Sequence, residues 1–130
     1  MKDCIFCKII ENSLPSNTIY EDDVVKVFLD INPSTNGDSL LIPKKHIETI
    51  DEVEEELMNH ILKVIHQLKP LYEEKLNAKG LTLIQNNGYG QDVKHFHIHL
   101  TPRYEEDGLE QKFNKESLLP LEEIMKQLTK

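Results

Sequence analysis

The stretch His95-Phe96-His97-Ile98-His99-Leu100 alternates polar and apolar residues without a break. Strict alternation predicts a half-buried strand, because successive side chains on a strand point to opposite faces of the sheet. The three imidazoles then share one face at a spacing of roughly 6.6 Å, and the apolar side chains face a packed helix. Solvated histidines on an edge strand are one interpretation. Metal ligation or catalysis is the favoured one, since imidazole titrates near neutral pH.

Four more strands are predicted on either side of a long helix. Runs of β-branched, aromatic and leucine residues bounded by turn residues give the five strands, which are residues 17–21, 24–30, 39–42, 81–85 and 95–101. Asp22-Asp23 tolerates a tight turn, so the first two strands form a hairpin, and Pro43 stops the third. Three strands, a helix and two strands predict an α+β fold with a largely antiparallel sheet.

Two stretches in the first two thirds of the chain have helical character. Residues 4–12 predict a short helix that Pro15 ends. From about Asp51, leucine and isoleucine recur at helical spacing, with glutamates at the start where the helix dipole favours acids. Pro70 is expected to end or kink this helix, and the residues after it continue the helix as far as a stop at Gly80.

Length and composition limit the classes of protein. The 130 residues carry 23 acidic and 15 basic side chains, a net charge of −8, and predict one domain over 1–130, with its core at about 3–104 and a tail with a short helix over 105–130. This negative net charge argues against non-specific binding to nucleic acid or to an anionic membrane. No apolar run approaches the ~18–20 residues of a membrane span, and the N-terminal residues contain no signal-peptide core. A cytoplasmic location is therefore predicted.

The histidine stretch also resembles a known family. His-Phe-His-Ile-His-Leu-Thr over 95–101, preceded by Gly90-Gln91, is similar to the signature of the histidine triad (HIT) proteins. Three further blocks resemble the family in the same order: Cys4-Ile5-Phe6-Cys7-Lys8-Ile9-Ile10, Phe28-Leu29-Asp30-Ile31-Asn32-Pro33 and Leu41-Ile42-Pro43-Lys44-Lys45-His46-Ile47. The resemblance covers most of the chain and is closest to bacterial members of the Hint-like branch.

This resemblance implies a fold, an assembly and an activity. The implied fold is a five-stranded antiparallel sheet with one long helix and short terminal helices, and two such sheets join into one of ten strands across a homodimer. The implied ligand is a purine nucleotide that is cleaved at the α-phosphorus. No membrane or nucleic-acid partner is expected.

The resemblance also implies roles for single residues. His97 aligns with the family's nucleophile, which forms a nucleotidyl-imidazole that water then hydrolyses, while the backbone carbonyl of His95 fixes its tautomer. Protonated His99 stabilises charge on the phosphate or assists the leaving group. Asp30 accepts both ribose hydroxyls, unless it is simply an acidic strand end. The expected phosphate donors are Asn86, Gly90, Gln91 and Asp92. The side chains expected around the base, which equally fit a plain core, are Ile5, Phe6, Phe28 and Ile31.

Two positions depart from the family pattern. Gly37-Asp38 stands where relatives usually carry Gly-His, and Asp92 stands where they usually carry serine or threonine. A carboxylate beside a phosphate is unfavourable unless it is protonated, paired or turned away. Asp38 is expected to orient a histidine or to meet a cationic group of the substrate. Asp92 still offers its backbone N–H but has no hydroxyl to donate.

Cys4 and Cys7 fit either a redox pair or a metal site in a compartment that keeps thiols reduced. The redox pair normally opens a helix in a βαβ unit, which this sequence lacks. Two thiolates with two imidazoles make a tetrahedral structural zinc site. His60 and His66 lie on the long helix and are expected to be solvated or at the edge of the core. The zinc ligands that the resemblance implies are Cys4, Cys7, His46 and His95.

Three functions follow for this sequence. The leading one is a hydrolase that splits the P–N bond of nucleoside phosphoramidates. The nearest alternative within the family is a hydrolase of dinucleoside polyphosphates. A third is a zinc-stabilised nucleotide-binding or interaction module with little turnover, which Asp38 and Asp92 keep open.

Overall fold

The computed structural model describes residues 3–129, so Met1, Lys2 and Lys130 of the predicted domain lie outside the described residues. Eight helices and strands follow one another along this part of the chain. They are α1 (Ile5–Ile10), β1 (Thr18–Glu21), β2 (Val25–Leu29), β3 (Ser39–Pro43), α2 (Glu55–Leu76), β4 (Gly80–Gln85), β5 (Ile98–Arg103) and α3 (Leu121–Leu128). Single 3₁₀ turns lie at Ile50–Glu52 and Lys115–Ser117.

The five strands form one antiparallel sheet in the order β1-β2-β3-β5-β4, which confirms the predicted α+β fold class. The predicted hairpin of β1 and β2 is present, and its turn is held by Asp22, whose Oδ1 accepts the amide hydrogens of Val24 and Val25 at 2.8 Å. Pro43, which was predicted to stop β3, is instead its last residue and pairs with Val25.

Alternation along the strands gives the sheet two different faces. Val27, Leu41 and Leu100 point to the face that α2 covers, where they pack with Ile61 and other apolar residues of that helix. The opposite face carries side chains one position along each strand, such as Phe28, Leu40 and Ile42, which pack against the buried residues of α1. The site described below lies on this second face.

The predicted continuation of α2 past Pro70 is confirmed, but the predicted stop needs correction. The helix runs through Pro70 to Leu76, and a 3₁₀ turn precedes it near Asp51. It ends because Asn77 takes the left-handed conformation (φ 58°), which asparagine tolerates. Gly80 is not the stop but the first residue of β4. Within residues 3–129, no helix combines the length and the apolar character that crossing a bilayer requires.

The fifth strand begins three residues later than predicted. Its pairing with β3 stops at Leu41 and Ile98. The residues before Ile98 do not continue this pairing. The Phe96 amide donates instead to the carbonyl of Ile47, in the segment that follows β3, at 2.6 Å. Alternation nevertheless continues, since Phe96 lies in the core under α2 while His95 and His97 face the other side with α1.

The short helix α1 is also shorter than predicted. It ends at Ile10, and the chain leaves it through Asn12 at φ 66°, three residues before Pro15. Cys4 caps its N-terminus, where its Sγ accepts the amide hydrogen of Cys7. This cap aims both cysteine side chains at the sheet.

Candidate functional site: a histidine cluster beside an apolar cleft

Four donor atoms from three distant segments meet where α1 touches the sheet. Nδ1 of His95 lies 3.3 Å from Sγ of Cys4 and 3.6 Å from Sγ of Cys7. Nδ1 of His46 lies 3.2 Å from Nδ1 of His95 and 3.3 Å from Sγ of Cys7. Zinc bonds of about 2.3 Å to sulfur and 2.0–2.1 Å to nitrogen give tetrahedral edges of roughly 3.3–3.8 Å. The spacing of the four donors therefore fits a metal ion.

The surroundings of these donors also suit a cation. Nε2 of His95 donates to the Pro43 carbonyl at 2.8 Å, which leaves the lone pair on Nδ1 facing the sulfurs. Burial lowers the pKa of His95, so the ring is neutral at neutral pH. Burial, with the adjacent Cys4 sulfur, raises the pKa of Cys7 to about 11. A pair of thiolates here therefore requires a positive ion between them.

His60 and His66 do not join this cluster. Nε2 of His60 lies 2.7 Å from the carboxylate of Asp22, at the hairpin turn. His66 is exposed on α2. Both positions agree with the expectation that these histidines are solvated or at the edge of the core.

His97 is held in the tautomer that a nucleophile needs. Its side chain is only 1% exposed, and its Nδ1 lies 2.7 Å from the His95 carbonyl. A carbonyl only accepts, so the ring hydrogen is on Nδ1 and the lone pair is on Nε2. The ring of Phe6 packs edge-on against His97 at 5.1 Å and limits its rotation.

A cleft of about 470 Å³ opens beside His97. Phe6 and Phe28 form its buried floor, with ring centroids 5.7 Å apart. Ile5 and Ile31 lie on its rim and are 48% and 84% exposed, so their apolar surface is accessible to a ligand. The predicted residues that line this cleft together are Ile5, Phe6, Phe28, Asp30, Ile31, Asp92, His97 and His99.

The loop that carries Asp30 is fixed by Asp38. The Asp38 carbonyl accepts the Asp30 amide hydrogen at 2.9 Å. The Asp38 carboxylate accepts from the Ser34 amide at 2.9 Å and from the Thr101 hydroxyl at 2.8 Å, and the residue is buried. Both roles expected for Asp38 are therefore wrong, since its carboxylate contacts neither a histidine nor the cleft. It holds the loop between β2 and β3.

The glycine loop supplies fewer phosphate donors than expected. The Gln91 amide hydrogen is taken by the Gly88 carbonyl at 2.9 Å. The Gln91 side chain is buried and donates to the Glu48 carbonyl at 2.7 Å, so it anchors the loop. Within residues 3–129, the amides of Gly90 and Asp92 have no such partner. Asn86, Gly90 and Gln91 are not among the residues that line the cleft.

Asp92 faces the lone pair of His97. Its Oδ1 lies 3.3 Å from Nε2 of His97, while the Asp92 side chain is 74% exposed. The ring of His99 is near, with its centroid 5.1 Å from that of His97. The carboxylate thus stands beside the ring nitrogen that carries the lone pair.

A second groove of about 560 Å³ adjoins the cleft and shares a wall with it. Ile5, Asp92 and Val93 line both spaces. Among the described residues, 3–129, Asp3 and Glu48 add two more carboxylates to the second groove, and Lys94 is the one lysine in its lining. The space beyond Asp92 is therefore acidic.

Sequence reasoning missed some residues that build the site. Leu14, Ser16 and Val93 are among the further residues of the cleft wall, and nothing in their types indicates a ligand. Lys26 is buried, and its Nζ donates to the Ile9 carbonyl at 3.0 Å and lies 3.3 Å from Asn12 Oδ1. It fixes the end of α1, and its only signal was a lysine within an apolar strand.

Known proteins are similar to this chain in sequence. The HIT domain family matches residues 11–106. An uncharacterized HIT-like protein of Methanocaldococcus jannaschii is 44% identical over 96% of this chain and 98% of its own length. The adenylylsulfatase HINT3 of Arabidopsis thaliana is 37% identical over 82% of this chain and 55% of its own length. The adenosine 5'-monophosphoramidase HNT1 of Saccharomyces cerevisiae is 33% identical over 79% of this chain and 64% of its own length.

Solved structures agree with this similarity. A Streptococcus mutans protein is 35% identical and covers 98% of this chain and 82% of its own, with a TM-score of 0.85. A zinc-bound histidine triad family protein of Mycobacterium smegmatis is 31% identical and covers 88% of this chain and 85% of its own, with a TM-score of 0.79.

Proposed function

The chain belongs to the HIT family, and from this premise we propose that it hydrolyses purine nucleoside phosphoramidates or related nucleotides at the α-phosphorus. The observation that carries the proposal is the state of His97. Its Nδ1 hydrogen is donated to the His95 carbonyl, so the lone pair is on Nε2. The side chain lines a cleft whose floor is apolar and whose rim is exposed to solvent. A buried imidazole held in one tautomer beside such a cleft is suited to nucleophilic attack.

The reaction proceeds in two displacements. Nε2 of His97 attacks the α-phosphorus, the P–N bond of the substrate breaks, and the departing amine takes a proton from protonated His99. Water then attacks the same phosphorus and returns a proton to His99, the bond to His97 breaks, and a nucleoside monophosphate leaves. His99, when protonated, stabilises the charge that develops on the phosphate oxygens.

The cleft supports binding of the nucleoside. Ile5 and Ile31 on its rim and Phe6 and Phe28 below offer apolar surface to a base. Asp30 keeps carboxylate oxygen available for ribose hydroxyls, since only its Oδ1 accepts a backbone hydrogen, from Asn32, within residues 3–129. Asp38 fixes the loop that positions this carboxylate.

The charge around Asp92 favours phosphoramidates over dinucleoside polyphosphates. Asp92, Asp3 and Glu48 line the groove next to the reacting nitrogen, and Lys94 is the one lysine that the described residues contribute to it. A polyphosphate leaving group would bring several negative charges into this acidic space, whereas an amine brings none. The names of two relatives, an adenosine 5'-monophosphoramidase and an adenylylsulfatase, are consistent with cleavage of adenylyl compounds.

A binding module with little turnover is the second candidate, and the position of Asp92 favours it. A carboxylate 3.3 Å from Nε2 of His97 disfavours approach of a phosphate. Turnover assays with an adenosine phosphoramidate and with diadenosine tetraphosphate, side by side, distinguish the three functions. Binding without hydrolysis of either compound would favour the module.

We expect His97→Asn to abolish turnover of an adenosine phosphoramidate while nucleotide binding stays within about tenfold, or ~1.4 kcal/mol, of the parent. Asparagine keeps a polar side chain but has no nucleophilic nitrogen. Steady-state kinetics and calorimetric titration with AMP measure the two effects, with His66→Asn on the exposed face of α2 as the matched control. Retention of more than a few per cent of activity in His97→Asn would contradict the covalent mechanism.

We expect Asp92→Ser to raise kcat/KM. The change removes a charge that repels phosphate and restores a hydroxyl donor. One charge-assisted contact is typically worth ~1.5–3 kcal/mol, or roughly 10–150-fold if it acts only in the transition state. The gain should be larger for diadenosine tetraphosphate than for a phosphoramidate, because the leaving group of the former is anionic. Asp92→Asn separates the loss of charge from the gain of the hydroxyl.

Lower activity of Asp92→Ser, with a shifted alkaline limb of the pH profile, would instead make Asp92 the proton donor to the leaving group. Kinetics within twofold of the parent at every pH would mean that only the Asp92 backbone matters.

We further propose that Cys4, Cys7, His46 and His95 hold a structural zinc ion. The spacing of the donors and the zinc-bound relative from M. smegmatis support this assignment. Bound zinc would neutralise the thiolates and join the first turn of α1 to the residues before β5, without contacting the nucleotide. A cytoplasmic location, where thiols stay reduced, belongs to the same proposal.

Elemental analysis of protein purified without chelator should find close to one zinc per chain. His46→Ala should lower the thermal midpoint of unfolding, whereas His66→Ala should leave it nearly unchanged. Structural zinc contributes ~10–16 kcal/mol to the folding of small zinc fingers. The loss of folding free energy is expected to be smaller here, because two apolar clusters also stabilise the fold. Absence of metal from protein expressed with ample zinc would exclude the site.

We propose a homodimer joined along β4. Within residues 3–129, the two edge strands differ in character. β1 has four residues with a register irregularity, whereas β4 has six, including Leu83 at 50% exposure. Short or irregular edges resist pairing, and long apolar ones favour it. Light scattering should give the mass of two chains for the parent and one for Leu83→Lys, with Thr18→Lys on β1 as the control. A one-chain mass for the parent would contradict the dimer.

A further inference from the structure

A second set of metal-ligating side chains lies at the mouth of the cleft. Asp92, His97 and His99 each offer one ligand atom, and these atoms lie within 4.8 Å of one another. None of the three belongs to the Cys4, Cys7, His46 and His95 cluster. Two imidazoles and one carboxylate on one side of a vacant space are a common ligand set for Zn²⁺ and for other divalent transition metals.

The contact between Asp92 and His97 is the strongest sign of a cation site. The hydrogen of His97 is on Nδ1, where the His95 carbonyl takes it, so Nε2 presents a lone pair. The Asp92 carboxylate also presents only lone pairs, and it stands 3.3 Å from Nε2. Two acceptors at this distance repel each other unless a proton or a metal ion lies between them. A metal ion satisfies both at once, since a ligand–ligand edge of roughly 3.3 Å is usual in tetrahedral sites.

We propose that Asp92, His97 and His99 bind Zn²⁺ reversibly and that the bound ion withholds Nε2 of His97 from chemistry. The lone pair that would attack phosphorus is the one that the metal takes, so metal binding and the covalent step exclude each other. The inhibitory part of this proposal rests on the proposed function, but the metal site itself does not.

The surroundings suit a reversible site. The Asp92 side chain is 74% exposed and His99 is half-buried, so ions reach the ligands from solvent, and the exposed carboxylate can turn to close the distance to His99. Three protein ligands leave a fourth position open to water, as in catalytic zinc sites, whereas four ligands close a structural site. The serine or threonine that relatives usually carry at position 92 would not supply the charged oxygen.

Calorimetric titration of Zn²⁺ into protein that already holds its first metal equivalent tests the site in the absence of substrate. A second equivalent is expected for the parent. Asp92→Ser should weaken this second binding at least about tenfold, since loss of even an indirect metal contact typically costs 10–100-fold. Asp23→Ser, which alters an exposed aspartate in the β1–β2 turn, should leave it unchanged. In ¹⁵N spectra, Zn²⁺ should shift Nε2 of His97.

Absence of a second equivalent in the parent, or equal affinity in Asp92→Ser, would overturn the site. Phosphoramidate turnover is then measured with Zn²⁺ at the concentration that fills it. Inhibition that reverses on dilution and needs at least about tenfold more Zn²⁺ in Asp92→Ser supports the proposal. Full activity at saturation would overturn the inhibitory part. A chain that binds the second ion but hydrolyses no nucleotide would refute the proposed function and leave the metal site intact.

Discussion

His95 joins the metal cluster, the sheet and the proposed nucleophile through three contacts. Its Nδ1 faces the sulfurs of Cys4 and Cys7, its Nε2 donates to the Pro43 carbonyl at the end of β3, and its own carbonyl takes the hydrogen of His97 Nδ1. Because one ring nitrogen is committed to a carbonyl, the other has only a lone pair to offer. Movement of this residue would therefore disturb the donor cluster and the His97 tautomer together.

The two aspartates that depart from the family pattern have opposite environments. Asp38 is buried, and both of its carboxylate oxygens accept hydrogen bonds, so it stabilises the loop that carries Asp30. Asp92 is exposed and meets the lone pair of His97, so its charge acts on whatever enters the cleft. A carboxylate at a position that departs from the family pattern can thus stabilise the scaffold or act within the site. The partners available at each position decide which.

Residue patterns along the chain predicted the sheet and its two faces well. The alternation of polar and apolar residues assigns each side chain to a face even when the ends of a strand shift by a few residues. These patterns failed where tertiary contacts override local preference. Asn77 ends α2 before the predicted stop at Gly80, and β5 starts three residues late because the Phe96 amide donates to the Ile47 carbonyl. The donor cluster joins segments too far apart in sequence for periodicity to relate them, so its ligands came from family resemblance. Lys26 stood out only as a lysine within an apolar strand, and its role was not predictable because it depends on where α1 ends.

The covalent step on His97 is the central claim, and direct detection of the adduct tests it. The parent protein is mixed with an adenosine phosphoramidate during turnover, quenched rapidly without acid, digested and mapped by mass spectrometry. The expected result is an adenylyl group on His97 that disappears when substrate is exhausted. Steady turnover with no adduct on any histidine, or an adduct on His99 with His97 unmodified, would contradict the mechanism.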